Sequence, residues 1–217
     1  MSGYIAVEQV SVLSGDQVLL APVSFSLDAG KALAVTGSNG TGKTTLLRVL
    51  AGRTPPTSGS VAIAGVPANE RSSGFRARMA ALIGLPPLAR NLTLREHLVL
   101  VATSWGSKIA DGENIADRLL DEFGIIRLKG RFPHELSSGQ TQLFALALTL
   151  TRPFEVLILD EPEQRLDSDR LELVGSVLRH LVDDGKTLIL ASHSNILVDR
   201  ISDEVLTLTD ASYDLHS

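Results

Sequence analysis

Eight consecutive residues, Gly37-Ser38-Asn39-Gly40-Thr41-Gly42-Lys43-Thr44, constrain this chain more than any other stretch. The run before them, Ala32-Leu33-Ala34-Val35-Thr36, is short and apolar and predicts a buried strand. The run after them, Thr45-Leu46-Leu47-Arg48-Val49-Leu50-Ala51, has helical character and stops at Gly52, a C-cap residue type. Strand, glycine-rich turn and helix in that order form the context of a phosphate-binding loop. The glycines let the backbone curl until successive N–H groups point at phosphate oxygens, with the positive end of the helix dipole behind them. In such a loop Lys43 reaches the β- and γ-phosphates and the Thr44 hydroxyl holds Mg²⁺. A chance glycine-rich turn is the alternative, and the flanking strand and helix weigh against it. Binding of a nucleoside triphosphate is therefore the first expectation.

A chain of 217 residues suits one sizeable domain with a substantial core. The formal net charge of −5 argues against a nucleic-acid partner, which needs a basic face. No cysteine is present, which excludes disulfides and thiolate metal sites and fits a cytosolic protein. Residues 1–8 lack the basic-then-apolar order of a signal peptide. The longest apolar run, 143–151, is about half of what a membrane span requires, so no direct membrane insertion is expected. A membrane process would need another chain for its membrane part.

Residues 4–12 and 18–27 alternate as strands, with turns at Ser14-Gly15-Asp16 and Asp28-Ala29-Gly30. Residues 53–59 form a loop by composition, 60–64 a short strand, and 79–83 another. The polar stretch 70–78, with Arg71, Arg76 and Arg78, reads as solvated surface. Thr93-Leu94-Arg95-Glu96 is a capping box that opens a helix to about residue 102. Ile115, Leu119, Leu120 and Phe123 share one face of a helix over 113–123, and a third helix runs from Gly139 to about Arg152. Strand signals are missing from 93 to 152, which predicts an inserted helical subdomain over about 85–152 within one domain spanning 1–217. Alternation then resumes: strand 155–159, helix 169–182, strand 187–191, helix 195–201, strand 204–208. The expected fold is α/β, a mostly parallel sheet flanked by helices, with an N-terminal antiparallel β subdomain. The strand at 204–208 is expected to be the last, with no regulatory domain after it.

Val156-Leu157-Ile158-Leu159-Asp160-Glu161 carries a second chemical signal. Two carboxylates at the end of a buried strand are unfavourable unless compensated, and Mg²⁺ brought with a nucleotide compensates them. Strand-end placement puts them at the carboxyl edge of the sheet, where ligands of open α/β sheets lie. Asp160 then holds Mg²⁺, directly or through water, and Glu161 faces the attacking water as base or positioner. A solvent-exposed acidic strand cap is the competing reading. Leu136-Ser137-Ser138-Gly139-Gln140 offers hydroxyls and a helix N-terminus suited to a γ-phosphate, although Ser-Ser-Gly is also a common N-cap sequence.

The order of these elements resembles the ATP-binding-cassette (ABC) ATPase family over essentially the whole chain. Residues 37–44 match its Walker A motif in full, and Thr45 fits a second threonine. Residues 136–140 match the Leu-Ser-Gly-Gly-Gln signature with Ser138 in place of the first glycine. Residues 156–161 match Walker B and the catalytic glutamate. Gln164-Arg165-Leu166-Asp167 stands for the D-loop, with Arg165 in place of a small residue. His193, in Leu190-Ala191-Ser192-His193, fits the switch histidine; on chemistry alone it would read as structural or surface. The resemblance implies an ATP hydrolase with ATP and Mg²⁺ as cofactors, Glu161 and His193 as catalytic residues, and Thr44 and Asp160 at the metal. It also implies a head-to-tail dimer with a second nucleotide-binding subunit, in which Ser137, Ser138, Gly139, Gln140 and Asp167 contribute to the partner's ATP site. The dimer would drive a separately encoded transmembrane permease from the cytoplasmic face of the membrane. A hydrolysis-poor regulatory subunit and a soluble non-transport ATPase are the alternatives.

Two family features are missing. The aromatic side chain that stacks on adenine aligns with Leu13 or Ser14, and Tyr4 lies too early to replace it. Stacking contributes roughly 1–3 kcal/mol per base in other nucleotide sites, so weaker adenine affinity is expected. The Q-loop glutamine should fall within 84–91, Gly84-Leu85-Pro86-Pro87-Leu88-Ala89-Arg90-Asn91, where no glutamine exists. Water in place of the amide, or slower hydrolysis, follows from that gap.

Overall fold

The computed structural model of the chain describes residues 3–209 and, for the backbone, 213–216. Met1 and Ser2, the start of the N-terminal stretch read above, lie outside the described residues.

Two sheets carry the fold. β1 (Ile5–Ser14) and β2 (Gln17–Leu27) pair antiparallel, and β1 also pairs antiparallel with β4 (Ser58–Ile63), which is edged by β5 (Val66–Pro67). The second sheet is centred on β3 (Ala32–Thr36). Its order is β10 (Tyr213–His216), β9 (Glu204–Leu208), β3, β8 (Thr187–Ala191), β7 (Val156–Asp160) and β6 (Met79–Leu82). All neighbours in it are parallel except β10, which runs antiparallel to β9.

The strands of a parallel sheet bury both faces, and alternate residues here feed two cores. Leu33, Val35, Ile158 and Ile189 pack with the antiparallel sheet and with Leu46 and Leu47 of α1 (Lys43–Leu50). Ala32, Ala34, Leu157, Leu159, Leu188 and Leu190 pack on the opposite face against helices. Those helices are α3 (Leu94–Ser104), α4 (Ile109–Glu122), α5 (Ser138–Leu150), α6 (Ser168–Asp183) and α7 (Asn195–Ile201). The first three fall in sequence between β6 and β7, with Phe123 and Phe144 fully buried among them.

Local side chains close the N-termini of α3, α5, α6 and α7, whereas α4 has no side-chain cap. Thr93 caps α3 while Glu96 reaches back to the Thr93 N–H at 2.8 Å, the reciprocal arrangement expected from the sequence. Ser137 and Gln140 repeat it at α5, and Asp167 caps α6 by accepting from the Arg170 N–H at 3.0 Å. Arg95 joins α3 to α4 through Asp117 and Glu113 at 2.8 and 3.0 Å.

The structure departs from the sequence reading in four places. The polar stretch 70–78 contains a helix, α2 (Ser73–Arg78), capped by Ser72 and anchored by buried Phe75. Only one of its residues is buried, so no apolar period announces it. Helix α4 starts at Ile109, four residues before the start expected at Glu113. Strand β4 begins at Ser58, inside the segment read as loop. Finally, β9 is not the last strand, because β10 pairs with it. Among the described residues no helix is long and apolar enough to cross a membrane.

Candidate phosphate-binding and hydrolytic site

Three loops leave the carboxyl ends of β3, β7 and β8 at the same level of the sheet. Val35 pairs with Ala191, and Ala191 with Asp160, so the phosphate loop, the acidic pair and Ser192-His193 emerge side by side. This is the edge at which ligands of open α/β sheets bind.

The loop at 37–44 depends on its glycines for two separate reasons. Gly37 and Gly42 have φ of 132° and 96°, a region L side chains rarely adopt. A Cβ at Gly37 would also stand 2.3 Å from the Leu208 carbonyl oxygen, and one at Gly42 2.6 Å from that of Leu19. The second contact fixes the loop against β2. Gly40, at φ 91°, has open space around it. Thr41 closes the turn by donating its hydroxyl to the Ser38 carbonyl at 3.0 Å. Lys43 is buried, and its Nζ donates to the Gly37 and Ser38 carbonyls at 2.7 and 2.9 Å. An ammonium has three donors, so one remains for a ligand in the curve of the loop.

Thr44 Oγ1 donates to Asp160 Oδ2 at 2.8 Å, joining the two motifs across 116 residues. The other oxygen, Asp160 Oδ1, is buried with no partner. Burial raises the Asp160 carboxyl above its usual range and the neighbouring Glu161 charge adds to this, while the Thr44 hydrogen bond, Arg48 and Lys43 pull the other way. A buried carboxylate with one idle oxygen beside a hydroxyl is a donor set of the kind Mg²⁺ uses, with phosphate oxygens and water completing the shell. The residues present therefore fit the metal.

Glu161 has φ 49°, strained for a residue with a side chain, and its N–H donates to the Ala191 carbonyl at 2.8 Å. That bond ties the turn after β7 to the end of β8. The Glu161 carboxylate lies between His193 Nε2, 3.5 Å from Oε1, and the Gln164 amide, which donates to Oε2. His193 is placed in turn by Glu163: Oε1 of that carboxylate accepts from the His193 N–H at 2.7 Å and from the Ser192 hydroxyl at 2.8 Å. Glu163 Oε2 is buried without a partner.

Two clefts meet at Thr44 and Glu161. One, of about 310 Å³, runs past Asn39, Gly40, Lys43 and Thr45 to Gln17 and Val18 on β2. Val18 is 56% exposed and pairs with Leu13, which is also exposed, so the wall on this side is aliphatic where an aromatic ring was expected to be missing. Tyr4 is elsewhere: its hydroxyl donates to Glu155 at 2.5 Å, and burial together with that carboxylate pushes its pKa up to about 12. The second cleft, of about 400 Å³, is bounded by Asp160, Gln142, Gln164, Gly84 and Leu85. No glutamine comes from 84–91, but two amides from other elements enter the same space. Buried Gln142, from α5, donates to the Pro162 carbonyl at 3.2 Å.

The structure thus brings together residues 37–45, Asp160, Glu161 and His193. It leaves Ser137, Ser138, Gly139 and Gln140 outside both clefts, at the start of α5, and Asp167 at the start of α6. Sequence reasoning missed Glu163 and Gln142, and read Gln164 only as the first residue of the D-loop. Gln142 ends the polar first turn of α5, after Ser138-Gly139-Gln140-Thr141, so nothing local set it apart.

A family model described as ABC transporter matches residues 20–164. The chain is 32% identical to a Nod factor export ATP-binding protein I of Sinorhizobium fredii, over 94% of this chain and 60% of that protein. It is 36% identical to a taurine import ATP-binding protein of Roseobacter denitrificans, over 83% of this chain and 67% of that protein. The chain spans roughly half the length of the curated relatives it matches. A solved dimer of an ATP-binding cassette, in a post-hydrolysis state bound to ADP and Pi, superposes with a TM-score of 0.87 over 98% of both chains at 21% identity, a likeness of fold. With the matched segment running from β2 through the phosphate loop to the acidic strand end, the chain belongs to the ABC transporter family.

Proposed function

We propose that the chain binds ATP with Mg²⁺ at this edge and hydrolyses it as the ATP-binding subunit of a transporter. The observation that carries the reading is the Thr44–Asp160 pair, with its idle buried oxygen, next to a Glu161 carboxylate held from two sides. The loop N–H groups and Lys43 bind the phosphates, and loop residues Ser38, Asn39 and Thr45 shape the cleft around them. Thr44 and Asp160 would hold Mg²⁺, which when bound neutralises the charge of the phosphate oxygens. Glu161 accepts the proton of the attacking water, while Gln164 and His193 keep its carboxylate turned toward the cleft. The two amides of Gln142 and Gln164 supply polar groups where the Q-loop glutamine is missing, which favours an active enzyme over the hydrolysis-poor alternative.

The rest of the site comes from a second subunit. Ser137, Ser138, Gly139 and Gln140, which line neither cleft of their own chain, would face the γ-phosphate bound to the partner, and Asp167 would lie at the same interface. The solved cassette that matches in fold is described as a dimer, which supports this arrangement. The helical segment of about 85–152 is the part we assign to contact with a separately encoded permease, with the chain on the cytoplasmic face of the membrane. The names of the two relatives, one an exporter component and one an importer component, leave the direction of transport open.

Phosphate release by the purified chain with ATP and Mg²⁺ tests the reading. Glu161→Gln should lower turnover about 100-fold or more while ATP still binds. Equal turnover in wild type and Glu161→Gln would overturn it.

A further inference from the structure

A second cluster of cations lies away from the phosphate loop. Helix α1 begins at Lys43 and ends about 12 Å away, at Leu50. Just beyond it, a cavity of about 70 Å³ is walled by Arg53, Arg76 and Arg152, with Phe75 and Met79 as its apolar floor. Among the described residues Glu70 is the one acidic side chain lining it, and its nearest approach to Arg53 is 3.9 Å.

The arginines are only partly used by the fold. Arg53 Nη2 donates to the Ala81 carbonyl at a long 3.4 Å. Arg76 Nη1 donates to the Glu70 and Arg71 carbonyls at 3.0 and 2.9 Å, and Arg152 Nη2 to the Arg76 carbonyl. Each guanidinium therefore commits one nitrogen to backbone oxygens and keeps others. Arg152 Nε is buried with no acceptor at all. Burial, with Arg76 and Arg53 adding like charge, holds the Arg152 pKa below the ordinary arginine value. Like charges crowded around one cavity are unfavourable, so an anion there would relieve the mutual repulsion of the three guanidiniums.

We propose that Arg53, Arg76 and Arg152 form a binding pocket for a phosphate group, separate from the nucleotide site. Three cations against one carboxylate leave a local charge near +2, and a phosphate group carries about −1.5 to −2 at pH 7. Three guanidiniums at one cavity supply more donors than a planar carboxylate can accept and suit an oxyanion with more oxygens, such as phosphate. The cavity has the room of about two waters, enough for a phosphate head and too little for a nucleoside. At the end of α1, whose dipole would oppose an anion, the Leu47, Arg48 and Val49 carbonyls are already bonded by the N–H groups of Ala51, Gly52, Arg53 and Thr54. The pocket stands independently of the hydrolytic reading.

The chain supplies its own reporter, since its single tryptophan, Trp105, lies under the Arg152 guanidinium at 4.1 Å. Tryptophan emission is followed while inorganic phosphate, or glycerol phosphate as a monoester, is added at constant ionic strength. A saturable change is expected with at least one of them, and the tighter of the two identifies the source. The same response should persist in Lys43→Ala, which cripples the phosphate loop. Arg53→Gln and Arg76→Gln should weaken it about tenfold or more. Arg53 makes so few contacts that its variant decides the matter if Arg76→Gln fails to fold by circular dichroism. No saturable change, an equal change with chloride, or undiminished affinity in Arg53→Gln would overturn the pocket.

Discussion

The edge of the parallel sheet and the helical segment between β6 and β7 treat their polar groups in opposite ways. At the sheet edge, Asp160 Oδ1 and Glu163 Oε2 are buried without partners, and Glu161 and Arg165 hold positive φ angles. In the helical segment, Thr93 with Glu96 and Ser137 with Gln140 close their helix ends reciprocally, and Arg95 is saturated by two carboxylates. Since buried polar groups in folded proteins are otherwise paired, the unpaired ones mark where a ligand is to arrive. Among the described residues, the helical segment leaves one buried side-chain atom unpaired, Arg152 Nε at its far end, beside the arginine cavity.

Experiments can break this contrast, and after Glu161→Gln the largest effect is expected at Lys43. Lys43→Ala removes a charged donor from the loop and should weaken ATP binding about 10- to 100-fold in a fluorescence titration; unchanged affinity would place the nucleotide elsewhere. Next is Glu163, whose loss leaves the His193 N–H and Ser192 hydroxyl without their acceptor. Glu163→Ala should slow turnover about tenfold with ATP affinity kept, and Glu163→Gln, which retains the acceptor oxygen, should recover most of it. Equal loss in both variants would mean that the charge, not the hydrogen bonds, is what matters.

Asp160 offers a test of opposite sign. Its carboxyl pKa is raised in the fold, so below about pH 4 the group is protonated in both folded and unfolded chains and costs nothing. As pH rises through the raised folded value, ionisation weakens the fold. Asp160→Asn should therefore raise the melting temperature of the ligand-free protein by about 2 °C or more at pH 8, with the gain vanishing near pH 4, while the Mg²⁺-dependent part of ATP affinity is lost. A lower melting temperature at pH 8 would show that Asp160 is structural. The smallest effect belongs to the other region: Thr93→Ala removes one cap and should lower the melting temperature by about 2–4 °C with ATP affinity intact. A shift in ATP affinity there would erase the contrast.

The parts of this molecule that local pattern encodes were legible beforehand. The β-branched run before Gly37, the Thr93 capping box and the apolar strand into Asp160 each fold as their spacing predicts. Helix α2 was not, because a single buried Phe75 makes no period, and β10 was not, because its pairing with β9 is a tertiary matter. Within the site, residues at strand ends could be assigned since the end of a strand is itself a location. Glu163, Gln164 and Gln142 could not, because their roles depend on which loops meet across the sheet edge rather than on what stands next to them in the chain.

Gly139 shows what such meetings imply for motion. A Cβ there would stand 2.7 Å from the Arg165 carbonyl oxygen, so the start of α5 and the turn that follows Glu161 touch through a gap narrower than a methyl group. In a dimer of the proposed kind, the first of these completes the neighbour's nucleotide site and the second belongs to the chain's own. Neither can shift far without pressing on the other, so in that dimer a movement at one nucleotide site would be passed through the backbone toward the other.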